Sequence, residues 1–116
     1  ALNKLTHSKT RYALFRELYD EEQDIQLGGV TTEWLAAAHQ AMNKIENSAG
    51  AITTPTLVLS ADDDAIIDNK RQRLVAQRMP NATLEIVPRA YHELFTESDD
   101  IRERSLTRIL DFLTES

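Results

Sequence analysis

Three consecutive carboxylates, Asp62, Asp63 and Asp64, and a histidine 28 residues beyond the last of them, His92, are the side chains best suited to do chemistry. Each follows a β-rich run, Thr56 to Ala61 for the acids and Thr83 to Val87 for the histidine. Imidazole works as a general base near neutral pH, and a carboxylate on one ring nitrogen fixes the tautomer and stabilises the imidazolium. A base held this way can take a proton from a hydroxyl nucleophile. The serines are Ser8, Ser48, Ser60, Ser98, Ser105 and Ser116, and none lies in the Gly-x-Ser-x-Gly turn that presents a nucleophile between strand and helix. The sequence therefore carries an acid and a base without a nucleophile elbow.

Plainer roles compete at each position. Single histidines are most often ordinary hydrogen-bonded residues, and His7 and His39 are read so. Two of the three aspartates are expected to serve a solvated turn or a helix cap. A calcium loop counted from Asp62 puts Ile67 where glycine is needed and Arg73 where glutamate is needed, which excludes it. A phosphoacceptor pocket would need further acidic and lysine-bearing strand ends that are absent. No metal and no organic cofactor is expected.

The character of the chain changes at Asn47-Ser48-Ala49-Gly50. Before it, Tyr12, Phe15 and Tyr19 share a helical stripe over Lys9 to Tyr19, with Leu14 and Leu18 beside it. An acidic loop from Asp20 to Asp24 follows, and Gly28-Gly29 breaks the chain. Thr31 or Thr32 then caps a helix reaching about Ile45, whose Trp34, Ala38, Met42 and Ile45 stripe is expected to pack. After Gly50 strand and helix alternate. A strand over Thr56–Ala61 enters behind Pro55, a helix over Asn69–Arg78 turns Leu74, Val75 and Met79 inward, and a strand runs over Thr83–Val87. A last helix after Ser98-Asp99-Asp100 buries Leu106, Ile109, Leu110 and Leu113. Strand, helix and strand in about 30 residues make a βαβ unit with a right-handed crossover. Two parallel strands cannot cover both their faces, so the unit expects further strands or a second copy pairing at its edge. Parallel pairing also brings the aspartates and His92 to one edge of the sheet, where α/β sheets gather functional groups.

With 116 residues the chain suffices for one small domain, and 41% hydrophobic with 28% charged residues marks it as globular rather than disordered. A net charge of −6 repels a nucleic-acid backbone, so no nucleic-acid partner is expected. No run is long and apolar enough to span a bilayer. The absence of cysteine excludes disulfides and thiolate metal sites and fits a reducing compartment.

The run Thr54-Pro55-Thr56-Leu57-Val58-Leu59-Ser60-Ala61-Asp62-Asp63-Asp64-Ala65-Ile66-Ile67-Asp68-Asn69, followed by Ala90-Tyr91-His92-Glu93-Leu94-Phe95, resembles the C-terminal part of bacterial lysophospholipases and the related monoacylglycerol lipases. Leu5-Thr6-His7-Ser8-Lys9-Thr10-Arg11-Tyr12 and Gly28-Gly29-Val30-Thr31 before Trp34 look like the same branch. The resemblance implies an α/β class, specifically the C-terminal fragment of an α/β-hydrolase fold: residues 1–50 as a helical cap-to-core segment and 51–116 as the βαβα end of the core. It implies a serine ester hydrolase that cleaves a fatty acyl ester, with Asp64, followed by two aliphatics and Asp68, as the catalytic acid and His92 as the base. The nucleophile elbow and oxyanion-hole glycines of that family have no counterpart in this sequence, so the missing N-terminal half is an expected partner, with a lipid or small ester as substrate. The helices around Tyr12, Phe15 and Trp34 would border an acyl pocket or pack. The implied location is cytoplasmic, with peripheral contact at the inner membrane. The rival readings are a noncatalytic module that self-associates through its exposed sheet edge, and a carboxylesterase with another acyl substrate.

Overall fold

The computed structural model describes residues 3–115. Its elements are α1 (Lys9–Glu21), α2 (Thr32–Ser48), β1 (Thr56–Ala61), α3 (Asn69–Arg78), β2 (Ala82–Val87) and α4 (Asp99–Glu115), with single 3₁₀ turns at 23–25, 49–51 and 94–96. Side-chain oxygens start three of the helices by accepting from otherwise orphaned N–H groups. Ser8 accepts from Arg11, Thr31 from Trp34, and Asp68 from both Lys70 and Arg71.

The two strands pair in parallel, with Thr56 opposite Ala82 and Ala61 opposite Val87. Pairing continues past the strand ends. Asp62 N–H donates to the Val87 carbonyl at 3.1 Å and Asp63 N–H to the Ala90 carbonyl at 3.0 Å. The two loops that leave the sheet are thus laced together by backbone before any side chain is considered. Beneath them lies a small core of Ala61, Val87, Ala90 and Ile101, with Leu59 and Leu94 packed against it. Helix α2 is tied to α3 by charge: Arg71 donates to Glu46 at 2.7 Å and also to Asn43, and Arg78 donates to the Glu46 carbonyl at 3.1 Å.

Several expected positions move. Helix α1 continues through Asp20 and Glu21, so the acidic loop is shorter than its composition suggests. Helix α4 takes Asp99 and Asp100 into its first turn, where both carboxylates face the positive end of the helix dipole. Leu74, Leu110 and Leu113, expected inward, are 37%, 62% and 64% exposed, and Trp34, Met42 and Ile45 also lie on the surface. The cause is geometric. A helix of 17 residues is about 25 Å long, whereas two strands about 5 Å apart cover only part of it. The buried positions of α4 are accordingly Ile101 and Ser105, in its first two turns, and that of α3 is Ala76.

The turn between β2 and the histidine loop passes through Arg89 at φ 60°, a left-handed conformation in which a Cβ crowds the backbone. Arg89→Val is expected to lower stability by about 2 kcal/mol, whereas Arg89→Gly is neutral or slightly stabilising. Ile101→Ala, which opens the centre of the core, is expected to cost about 3 kcal/mol. Urea unfolding of the three variants beside the parent chain checks both signs.

Candidate active site

Of the three aspartates, the fold brings Asp64 to His92. Asp62 instead holds Arg73 at 3.1 Å, and Asp63 lends its backbone to the loop lacing. Asp64 is oriented before the histidine is considered, because its Oδ1 accepts from the backbone N–H groups of Ile66 at 2.8 Å and Ile67 at 3.1 Å. Oδ2 is left to face the imidazole and lies 2.8 Å from His92 Nδ1. The carboxylate side chain is 7% exposed and the imidazole 28%. Burial on its own would raise the Asp64 pKa. The bonds from His92, Ile66 and Ile67, together with the charge of a protonated His92, outweigh that and hold the carboxyl below its ordinary value. An ionised carboxylate only accepts, so Nδ1 carries the proton and the lone pair of the neutral ring sits on Nε2. Such an arrangement can take a proton from a hydroxyl at Nε2.

Beside the imidazole lies an open apolar cleft of about 450 Å³, lined by Leu57 and Leu59 of β1, Leu94 and Phe95 of the histidine loop, and Ile109, Phe112 and Leu113 of α4. A smaller cleft of about 140 Å³ runs between Tyr12 and Phe15 of α1 and the histidine loop at Glu93 and Thr96. Trp34 of the expected acyl-pocket helices lines neither cleft.

A second histidine and carboxylate pair lies close by. Glu97, with no exposed surface, has His7 Nδ1 at 2.8 Å from Oε1, and the rings of His7 and Tyr91 stack at 3.7 Å. Burial would raise the Glu97 pKa, but the backbone N–H groups of Tyr91, Ser98 and His7 and the His7 ring hold it below the ordinary glutamate value. His7 is thus the hydrogen-bonded residue expected of it. Glu97 was not singled out, because its partner stands 90 residues away and its own neighbours, Ser98, Asp99 and Asp100, read simply as a helix start. His39 is exposed on α2. Among the described residues no three histidine, aspartate or glutamate side chains cluster to hold a metal ion, and no helix is long and apolar enough to cross a membrane.

A probable lysophospholipase L2 of Haemophilus influenzae is 32% identical over 96% of this chain and 36% of its own length. The lysophospholipase L2 of Escherichia coli is 30% identical over 97% of this chain and 35% of its own length. The chain thus spans about a third of the length of these curated relatives. A soluble variant of the monoglyceride lipase of Saccharomyces cerevisiae, solved with a substrate analog, matches 99% of this chain and 42% of its own with a TM-score of 0.63 at 19% identity. That likeness identifies the two parallel strands and their helices as part of an α/β-hydrolase fold. The family model described as "Serine aminopeptidase, S33" matches residues 1–99, and with the strand-end acid and histidine already in place, the chain belongs to that family of α/β hydrolases.

Proposed function

We propose that this chain is the acid and base part of a serine ester hydrolase that releases a fatty acid from a lysophospholipid or a monoacylglycerol. The observation that carries the reading is the 2.8 Å contact between Asp64 Oδ2 and His92 Nδ1 at the rim of an apolar cleft. The names of the curated relatives favour the lysophospholipid, and the apolar cleft suits an acyl chain of either substrate.

The nucleophile is a serine on the part of the polypeptide beyond this segment, in keeping with relatives about three times as long. His92 Nε2 takes the proton from its hydroxyl as the oxygen attacks the acyl carbon. The resulting imidazolium, steadied by Asp64, gives that proton to the departing glycerol oxygen. Water, deprotonated by the same nitrogen, then attacks the acyl enzyme, and the imidazolium returns the proton to the departing serine oxygen as the fatty acid is released. Donors for the oxyanion come from the same additional segment. Both outer edges of the two-stranded sheet are unpaired among the described residues; because the curated relatives are about three times as long, we assign the rest of the sheet, rather than a second copy, to the β1 edge.

The full-length protein carrying this segment is expected to react covalently with a fluorophosphonate probe and to hydrolyse lysophosphatidylcholine or monoolein. His92→Ala should slow the labelling about a thousandfold, the contribution typical of a general base. Undiminished labelling of that variant, or no labelling of the folded parent, would overturn the reading.

A further inference from the structure

The hydrolase mechanism uses Asp64 and His92 and leaves unused the most deeply buried carboxylate described. Glu97 is fully enclosed, and a buried carboxylate persists only where donors replace its lost water. It has four of them. Oε1 accepts from the Tyr91 backbone N–H at 2.8 Å and from His7 Nδ1 at 2.8 Å. Oε2 accepts from the backbone N–H groups of His7 at 3.0 Å and Ser98 at 2.7 Å. These donors come from three segments: the residues before α1, the histidine loop and the start of α4.

The same three segments, together with Arg11 of α1, are joined by further bonds around the histidine turn. Glu93 N–H donates to the Leu5 carbonyl at 2.9 Å, Thr6 Oγ1 to the Thr96 carbonyl at 2.7 Å, and Arg11 Nη1 to the Glu97 carbonyl at 2.6 Å. On the opposite side, Asp63 N–H holds the Ala90 carbonyl. Residues 90, 91 and 93 are therefore each anchored, and His92 lies between them. The anchor at 90 belongs to the loop of Asp64, and those at 91 and 93 belong to Glu97 and to the segment that Glu97 binds.

We propose that Glu97 is a positioning residue for His92: through His7 and the Tyr91 backbone it clamps the histidine turn against residues 5–8 and so sets the reach of the imidazole to Asp64. The clamp deepens the reading of His92 as the base and depends on it. Two acceptor oxygens are essential to it. Glutamine at this position keeps the volume but supplies one oxygen and one NH₂, so at least one of the three backbone N–H groups must face a donor, and His7 escapes the mismatch only by changing its tautomer. A purely structural buried acid would lower stability when replaced and leave the His92 ring as it was.

The test is the long-range ¹⁵N–¹H correlation spectrum of the imidazole rings in the full-length protein carrying this segment, at a pH where His92 is neutral. The wild-type protein should show His92 as one tautomer, with a pyrrole-type Nδ1 and a pyridine-type Nε2. In Glu97→Gln the two nitrogen shifts of His92 should converge toward the tautomer average, while exposed His39 on α2 stays unchanged. If Glu97→Gln loses its folded amide dispersion, His7→Phe decides the matter, since it keeps the ring stack on Tyr91 and removes one donor from Oε1. Convergence of the His92 shifts is then expected there. An unmoved His92 spectrum in a folded Glu97→Gln protein, or failing that in His7→Phe, overturns the clamp and leaves the base assignment standing. A wild-type His92 that is not the Nδ1–H tautomer instead removes the base assignment itself.

Discussion

Parallel pairing of β1 with β2, in the register that sets Ala61 opposite Val87, is the constraint on which the rest depends. Parallel strands send their C-terminal ends to the same edge, and only there can an acid from one loop meet a base from the next. A shift of one residue would turn every side chain of a strand to the other face and separate the loops. The ladder runs on through Asp62 and Asp63 to Val87 and Ala90, so the register is transmitted by backbone bonds to within two residues of His92. Asp64 then needs only its own turn, closed by the Ile66 and Ile67 N–H groups, to present Oδ2 to the ring.

The two carboxylates near the histidine turn are both held as anions, and by different means. Asp64 shares its two oxygens between a turn and an imidazole, which leaves the imidazole free to exchange protons at Nε2. Glu97 spends all four of its bonds on donors that orient the chain. Under the proposed function one carboxylate serves the chemistry and the other the scaffold, although each lies 2.8 Å from a histidine Nδ1. The difference lies in what surrounds the ring: His92 borders an apolar cleft, and His7 is stacked on Tyr91.

Much of this was legible in the residues. β1 and α3 have the expected bounds, because Pro55 marks the strand entrance, Asp68 the helix cap, and the residue pattern between them changes period cleanly. The preference for Asp64 over its two neighbours came from resemblance, and the fold supplies a physical counterpart in the Asx turn that only Asp64 makes. Burial was less legible. Leu110 and Leu113 carry the pattern of a packed helix face yet lie exposed, since periodicity reports which residues share a face and not how wide a sheet stands opposite. Glu97 and His7 were hidden for another reason: their meeting is set by the path of the chain around the histidine loop, which no local spacing encodes.

The central claim is that Asp64 and His92 act as one unit, and a double-mutant cycle on the fluorophosphonate labelling rate of the full-length protein tests it most directly. If they are a unit, Asp64→Asn slows labelling strongly by itself but adds almost nothing once His92→Ala is present, because an oriented base is worth nothing when the base is gone. Losses that multiply, with the double variant slower than His92→Ala by the full factor of Asp64→Asn, would contradict the account.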